Sequence, residues 1–310
     1  MYHYVRELKH SRFPEIKGLS IEEFKNQIRY IKKHYNIISA DDIMDAVDLG
    51  SDLPPRALLL TFDDGYLDHF TQVFPVLDQE KLPGCFFPTA KCILENRVLD
   101  VNKIHFILAS VEDKGKIVEN ISQTIDRHRS SYSLETTEKY WQKFGKHNRF
   151  DLSEVVFIKR MLQRELPEKL RKKIIGELFN QYVTKDEIGF SKELYMSLDQ
   201  LACIQRNGMY VGSHSFDHDR LNSLSKNEQK REIDLSLKLL KEVGCNTDRW
   251  MMCYPHGAFD DSLLSILKKR NCVIGLKSQF GIADLDRDHS LTLPRLDTND
   301  LPKEADAFFR

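Results

Sequence analysis

The 310-residue sequence predicts an α/β fold in which a parallel sheet, closed into a (β/α) barrel, carries a largely helical insertion. Short apolar runs alternate with amphipathic segments in about seven units, and strands that alternate with helices form a parallel sheet covered by those helices. The run "ALLLTF" is almost entirely apolar, as expected for a strand that is buried on both faces. A break in this alternation near the middle of the chain predicts the insertion.

The first part of the barrel is predicted over residues 1–90. Apolar residues recur at helical spacing in "SIEEFKNQIRYIKKHY", where Ser20 and Glu23 form a capping box. A short strand, "NIIS", and a helix, "ADDIMDAV", follow. The strand "ALLLTF", a helical stretch and the strand "CFFPT" then form a strand–helix–strand unit.

Residues 91–196 lack this alternation. Helical segments such as "VNKIHFILASV" and "EVVFIKRMLQREL" are separated by polar loops, and the segment has no clear strand pattern. Such a segment is too long for a loop inside a compact domain. We therefore expect a helical insertion of unassigned role that packs as a lobe, a lid or a partner surface.

The second part of the barrel is predicted over residues 197–310. Ser197 and Gln200 form the capping box of the helix "LDQLACIQR", and Ser225 and Glu228 form that of the long helix "KNEQKREIDLSLKLLKEV". The strands "MYVG", "WMMCYP", "CVIGL" and "LTLPRL" alternate with these helices and with "DSLLSILKKRN".

Composition excludes several classes of partner. Lys and Arg number 46 against 47 Asp and Glu, so the charge balance gives no case for nucleic acid or an anionic membrane. No apolar run approaches the ~18 residues of a membrane span. The first residues lack the apolar region of a signal peptide, and the six cysteines show no CxxC spacing. These features predict a cytoplasmic protein with reduced thiols and no membrane span.

Three polar segments each follow a predicted strand: "TFDDG", "GSHSFDH" and "CYPHG". Because the carboxyl ends of parallel strands face one side, these segments should meet at one mouth of the barrel. They contribute Asp63, Asp64, His214, His218 and Tyr254. Two imidazoles and one carboxylate form a metal site with open positions, and a second carboxylate can accept a proton. Each motif alone also occurs in ordinary turns, but their common placement at strand ends indicates a catalytic site.

The same three segments resemble the first three motifs of the polysaccharide deacetylases, carbohydrate esterase family four. The flanking text "FPVLDQEKLPGCFFPTA" and "LDQLACIQRNGMYVGSHS" is similar to that family as well. The resemblance covers about residues 56–90 and 197–296, and the opening "YHYV" is similar to one branch of the family. It implies a distorted (β/α)7 barrel and the metal-dependent hydrolysis of an acetyl group, usually N-acetyl, on a sugar.

The resemblance also implies a role for each matched residue. Asp63 would be the general base, while Asp64, His214 and His218 would bind the metal. Tyr254 would line the acetyl pocket, with its backbone N–H helping to stabilise the oxyanion. The implied cofactor is one divalent ion, with zinc as the first choice and cobalt, nickel and manganese as alternatives.

The sequence departs from the family pattern in two places. The third motif, "MMCYPHG", has no arginine before its Pro, and the late segment "SLTLPRLDTND" has no histidine after its leucine. Arg295 is our candidate for the cation that orients Asp63 and keeps it ionised. His256 is the first candidate for the catalytic acid, with His3 and His289 as alternatives.

We therefore predict a metal-dependent sugar N-deacetylase that acts in surface-glycan or precursor biosynthesis. Its partner would be an N-acetylated sugar, and a cytoplasmic location would favour a nucleotide-linked or lipid-linked form. Two alternatives stay open. One is a metal-dependent amidohydrolase acting on a non-sugar amide, and the other is a non-catalytic binding protein on the same fold.

Overall fold

The computed structural model describes residues 1–148 and 151–308. Contacts within the chain define two compact units. The barrel unit consists of Met1–Glu7, Gly18–Arg97 and the chain from Ser191 onwards, and the helical unit consists of Leu8–Lys17 and Val98–Phe190. The division predicted from the sequence instead left residues 8–17 in the barrel.

Seven short strands are all paired in parallel. They are β1 (Asn36–Ile38), β2 (Ala57–Leu59), β3 (Thr61–Asp64), β4 (Cys85–Pro88), β5 (Tyr210–Val211), β6 (Trp250–Cys253) and β7 (Cys272–Leu276). The hydrogen-bonded orders are β1–β2, β3–β4–β5 and β6–β7.

Single parallel bridges join the β3–β4–β5 and β6–β7 sheets and extend them at both ends: Tyr2–Phe62, Ser213–Met252 and Leu276–Leu293. None of these bridges involves the β1–β2 pair. The Met1 amino nitrogen also donates to the Leu296 carbonyl at 2.6 Å, which links the two ends of that series. The predicted α/β barrel with a helical insertion is therefore confirmed. The barrel is distorted where neighbouring strands are connected by isolated bridges rather than by continuous ladders.

The helices cover the barrel and fill the insertion. They are α1 (Ile21–His34), α2 (Ala40–Leu49), α3 (Phe74–Glu80), α4 (Ala90–Leu94), α5 (Asp100–Ser110), α6 (Lys114–Tyr132), α7 (Thr137–Phe144), α8 (Ser153–Arg160), α9 (Glu168–Tyr182), α10 (Glu187–Leu194), α11 (Leu198–Arg206), α12 (Lys226–Val243) and α13 (Asp261–Lys268). The predicted capping boxes at Ser20, Ser197 and Ser225 are present.

Two elements differ from the sequence prediction. The helix predicted after "TFDDG" begins as a π-helix, His69–Val73, before it continues as α3. Such turns are rare and occur often near functional sites. The predicted strand "LTLPRL" is reduced to the single bridge at Leu293. Pro294 follows that bridge, and proline has no N–H with which to continue a ladder.

Large apolar side chains pack together on the strands of the barrel unit. Phe62 and Phe86 stack with ring centroids 4.9 Å apart, and neither is exposed. Trp250 is equally buried and donates its indole N–H to the Arg270 carbonyl. Burying each such side chain contributes about 1.5–3 kcal/mol, so the register of these strands is strongly specified.

The helical unit has an apolar core of its own. Ile117, Ile121 and Ile125 recur every four residues along α6 and are fully buried. Phe13 packs edge-on against Phe106 and Phe190, with centroids 4.9 and 5.9 Å away. Within the described ranges, no helix is both long enough and apolar enough to cross a membrane.

The close packing of Gly65 against Pro88 generates a test of the fold. A Cβ on Gly65, where φ is +75°, would lie 2.7 Å from the Pro88 Cβ. Gly65→Ala should therefore combine a left-handed backbone penalty with overpacking and lower the free energy of unfolding by about 2–4 kcal/mol. Equilibrium urea unfolding measures the loss.

The matched control is Gly50→Ala. Gly50 has a φ of +69°, but nothing lies within 4 Å of a Cβ there. The control should lose only the backbone term, about 1–2 kcal/mol. Equal losses in the two variants would show that Pro88 moves aside without cost.

Candidate active site

The parallel pairing of β3, β4, β5 and β6 brings three polar segments to one end of the barrel. Asp63 and Asp64 end β3 in register with Phe87 and Pro88 of β4. His214 follows the bridge that joins the β5 segment to β6. The predicted constellation of Asp63, Asp64, His214 and His218 is assembled on this edge, and Arg295 joins it.

Asp64 faces both imidazoles. Its Oδ1 lies 3.3 Å from the Nε2 of His214 and 3.4 Å from the Nε2 of His218. The Tyr66 hydroxyl donates to the other oxygen, Oδ2, at 2.6 Å. Asp64 is only 3% exposed, and its Oδ1 makes no hydrogen bond to any atom of residues 1–148 or 151–308.

A backbone carbonyl orients the His214 ring. The His214 Nδ1 lies 2.8 Å from the Cys253 carbonyl, and a carbonyl only accepts. Nδ1 therefore carries a hydrogen, and Nε2 is the ring nitrogen that faces Asp64. In the neutral ring this Nε2 would be the atom that binds a cation. The donor set fits a divalent metal ion, because a second bond of this kind usually orients a metal-binding histidine.

Asp63 differs from Asp64 because it is bound by Arg295. The guanidinium makes two hydrogen bonds to Asp63, from Nη1 to Oδ1 at 2.9 Å and from Nη2 to Oδ2 at 2.7 Å. Burial alone would raise the pKa of Asp63, but the charge and hydrogen bonds of Arg295 lower that pKa well below its usual range. Asp63 is thus an ionised carboxylate that is held by a guanidinium, whereas Asp64 faces the imidazoles of His214 and His218.

Cys253 completes the surroundings of Asp63. Its thiol donates to Asp63 Oδ2 at 3.3 Å and accepts from Arg295 Nη2 at 3.0 Å. Asp63, His214 and Cys253 therefore form a second cluster with metal-ligand atoms. The guanidinium charge already occupies this cluster, which leaves the cluster of Asp64 with the two histidines as the cation site.

Several residues of the site lie in the left-handed region of backbone conformation. The φ angles of Asp64, Ser215, His218 and His256 are 72°, 60°, 58° and 56°. Non-glycine residues there cost of order 1–3 kcal/mol each and persist only where the surrounding structure holds them. The backbone is therefore shaped for the placement of these side chains rather than for local stability.

His3 lies beside Asp63. Its Nε2 is 4.0 Å from Asp63 Oδ2, and its side chain is 42% exposed. The buried His69 holds the backbone of this segment, because its Nε2 donates to the His3 carbonyl at 2.8 Å. Burial lowers the pKa of His69 to about 4, so this imidazole is neutral.

The other two candidate acids have different surroundings. The His256 ring lies 4.7 Å from the His218 ring, centroid to centroid, and its side chain is exposed. His289 instead caps the turn Ser290–Thr292, because its Nδ1 accepts the Leu291 N–H at 3.1 Å. His3 and His256 thus lie by the assembled cluster, whereas His289 serves a turn.

Tyr254 requires a correction to the predicted oxyanion role. Its backbone N–H donates to the Leu276 carbonyl at 3.0 Å as part of the pairing between β6 and β7. Its hydroxyl donates to the Leu291 carbonyl at 2.7 Å, and the side chain is buried. Both donors of Tyr254 are therefore engaged inside the barrel, which argues against a role in holding an oxyanion.

Sequence reasoning missed three residues of the site: Tyr66, His69 and Cys253. Tyr66 and His69 lie shortly after the Asp-Asp pair, and Cys253 precedes the Tyr-Pro of the third motif. Their positions beside motif residues were the available signal. Their partners could not be read from the chain, because the contacts made by His69 and Cys253 join segments far apart in sequence.

The fold and the geometry of the site define a class of protein. A parallel α/β barrel with two histidines and an aspartate at the carboxyl ends of its strands, and an ionised carboxylate alongside, has the form of a metal-dependent hydrolase. The family model described as "Polysaccharide deacetylase" matches residues 50–146 and 174–273. The chain belongs to the polysaccharide deacetylase family.

Relatives and solved structures agree with this assignment. Over 83 residues the chain is 31% identical to the poly-β-1,6-N-acetyl-D-glucosamine N-deacetylase of Escherichia coli (strain K12), a match that covers 26% of this chain and 12% of that protein. The fold is similar to the Streptococcus pyogenes deacetylase PplD in complex with acetate, with a TM-score of 0.56 and 14% identity over 95% of this chain and 88% of that one.

A de-N-acetylase from Aggregatibacter actinomycetemcomitans is similar as well. Its TM-score is 0.53 and its identity 16%, and the match covers 99% of this chain and 95% of that chain. At these identities the structural likeness shows the fold. The short curated match spans only about an eighth of that relative's length.

The geometry predicts that His218 and Asp63 differ in their effect on metal retention. His218→Ala removes one of the three candidate ligands and should weaken zinc binding by more than about 100-fold, since the loss of an outer-shell partner already costs about 10–100-fold. Asp63→Asn should retain stoichiometric zinc, because Asp63 is bound to Arg295 instead. Elemental analysis after dialysis and a chelator competition measure both. Loss of zinc from Asp63→Asn would show that the two carboxylates have exchanged roles.

Proposed function

We propose that the chain is a metal-dependent carbohydrate N-deacetylase, which hydrolyses the amide of an N-acetylated sugar to acetate and a sugar amine. The observation that carries the proposal is the placement of an arginine-bound carboxylate, Asp63, directly beside the cluster of Asp64, His214 and His218. Family membership supports the reaction class.

Asp64, His214 and His218 would hold the metal ion. When bound, a divalent ion supplies Lewis acidity, which makes a water molecule more acidic and polarises the amide carbonyl. Two imidazoles and one carboxylate are a common catalytic zinc set, so zinc is our first choice and cobalt, nickel and manganese are alternatives.

Asp63 would accept the proton of the attacking water. Because Arg295 lowers the pKa of Asp63, this carboxylate is ionised whenever the substrate arrives. A carboxylate with a lowered pKa is a weak base towards ordinary water, so Asp63 would need the more acidic water that a bound divalent ion would supply. The pair of hydrogen bonds from Arg295 also fixes the direction in which Asp63 presents its oxygens.

His3 is our choice for the acid that protonates the leaving amine. Its Nε2 lies 4.0 Å from Asp63 Oδ2, and its side chain is partly exposed and therefore accessible to a substrate. A proton from His3 would go to the amide nitrogen as the carbon–nitrogen bond breaks, which yields the free amine and acetate. His256, next to His218, is the second candidate.

The N–H of His256 is our candidate for the oxyanion donor in place of the Tyr254 N–H. It donates to no atom of the part of the chain that the structure describes. The adjacent Gly257 N–H, by contrast, closes the turn onto the Tyr254 carbonyl at 2.9 Å. A donor of this kind stabilises charge that develops on the carbonyl oxygen.

An N-acetylated hexosamine is the substrate we propose. The printed name of the Escherichia coli relative specifies poly-β-1,6-N-acetyl-D-glucosamine. The cytoplasmic location predicted from the sequence stays a prediction, supported by six cysteines that are all free. A cytoplasmic enzyme would act on a nucleotide-linked or lipid-linked precursor, which extends the range of substrates to be assayed.

Acetate release tests the proposal directly. Free, nucleotide-linked and polymeric N-acetylated sugars should be assayed with zinc-loaded protein, with chelator-treated protein and with Asp63→Asn. We expect acetate from at least one sugar, and a rate lowered by about 10²–10⁴-fold in Asp63→Asn because proton transfer is lost.

The control for charge removal is Asp52→Asn on the exposed surface, which should keep the full rate. Bound zinc without acetate from any sugar would favour a non-sugar amide as substrate. A wild-type protein that binds neither zinc nor sugar substrate would instead favour a non-catalytic binding role.

The assignment of the acid has its own test. His3→Ala should lower kcat by about 10²–10⁴-fold with zinc content unchanged, since general-acid catalysis contributes on this scale. His147→Ala, which changes an exposed histidine, is the control. A full rate in His3→Ala together with a large loss in His256→Ala would assign the acid to His256.

A further inference from the structure

The two histidines of the metal site share one short loop. This histidine loop, residues 213–218, has two residues in the left-handed region, Ser215 with φ of 60° and His218 with φ of 58°. Such conformations are costly for residues with side chains. Contacts from outside the loop must therefore hold it in this shape.

The Ala90 and Lys91 N–H groups donate to the Ser215 and Phe216 carbonyls, and Glu232 on α12 holds the N–H groups of the same stretch. Its Oε2 accepts two backbone N–H groups of the loop, from Phe216 at 3.1 Å and from Asp217 at 2.9 Å. These are the two residues directly before His218. One carboxylate oxygen thus fixes the stretch of backbone that separates the two histidines.

The burial of Glu232 indicates a specific role for this contact, because a buried carboxylate is costly. The residue is only 6% exposed, and no lysine, arginine or histidine in the described ranges forms an ion pair with it. Burying a carboxylate without a cation is costly, and here two backbone hydrogen bonds are its compensation. A leucine at this position of α12 could also be buried, but it could not accept the hydrogen bonds from Phe216 and Asp217.

The same face of α12 also holds the start of the loop. Ser236, one turn after Glu232, receives a hydrogen bond from the Ser213 hydroxyl at 2.8 Å. The Ser213 oxygen in turn accepts the Ser215 N–H at 3.2 Å. The polar stripe of Glu232 and Ser236 therefore contacts the histidine loop on both sides of Ser215.

We infer that Glu232 is a positioning residue for the metal centre, which holds the histidine loop so that His214 and His218 reach the same ion. The inference rests on the metal site of the proposed function. Glu232 itself bonds to the loop backbone, so its effect would pass through the spacing and orientation of the two ligands. Preorganised ligands bind a metal more tightly because less order must be created on binding.

Zinc affinity is the measurement that tests this role. Glu232→Ala removes the acceptor and should weaken zinc binding by about 10–100-fold, as for other residues that orient metal ligands. Glu232→Gln keeps a carbonyl oxygen that can accept the same N–H groups and should retain most of the affinity. Competition with a chromophoric chelator on the full chain gives each dissociation constant, and circular dichroism gives the fold of the zinc-free protein.

The matched control is Glu242→Ala on the same helix. Glu242 is exposed and pairs only loosely with Lys238, at 3.8 Å, so its removal should leave zinc affinity unchanged. If Glu232→Ala fails to fold, Glu232→Gln and Ser236→Ala decide, since Ser236→Ala removes a single hydroxyl from the same stripe and should show a smaller but measurable loss.

Wild-type zinc affinity in a folded Glu232→Ala protein would overturn the inference. Wild-type affinity in Ser236→Ala, combined with a Glu232→Ala protein that does not fold, would also overturn it, because Glu232 would then serve the fold alone. A wild-type protein that binds no zinc would instead overturn the proposed metal site. Acetate release is not needed for either decision, so the two failures are distinguishable.

Discussion

One buried guanidinium makes two neighbouring carboxylates chemically different. Asp63 and Asp64 are adjacent in the chain and both are almost fully buried, so without further charges neither would have a distinct role. Arg295 binds both oxygens of Asp63, and the left-handed backbone at Asp64 accompanies a carboxylate turned towards the imidazoles. Removing one partner of such a buried pair leaves an uncompensated charge, which costs about 3–5 kcal/mol. The site and the stability of the barrel edge therefore depend on the same contact.

The positive charge beside Asp63 comes from Arg295, which lies outside the third motif. The family resemblance places an arginine before the Pro of the third motif, where this chain has Cys253. Arg295 arrives from a different strand segment, just after the Leu293 bridge, and the Cys253 sulfur lies against its Nη2. A short side chain at residue 253 leaves room for a long one from across the barrel. The arginine that binds Asp63 in this chain thus comes from outside the third motif.

Much of the fold and of the metal cluster could be predicted because the signals are local. The capping box at Ser225 and the polar segments at strand ends are both read from a few adjacent residues. The Tyr254 N–H was misjudged because its direction depends on the pairing of β6 with β7, where the register shifts. The place of His3 beside Asp63 depends on a bridge between residues about 60 positions apart, Tyr2 and Phe62. Contacts of this kind are fixed by tertiary packing and leave no periodic pattern.

The helical unit is discontinuous in sequence, and this affects how the protein could be shortened. Phe13, from Leu8–Lys17, shares its aromatic cluster with Phe106 and Phe190 at the two ends of the larger segment. Deleting only Val98–Phe190 would remove both aromatic neighbours of Phe13 and leave the Phe13 side chain without an apolar core. A minimal barrel would need a new connection from Glu7 to Gly18 as well. A version of this chain without the helical unit would therefore differ from it at two places in the sequence, which must change together.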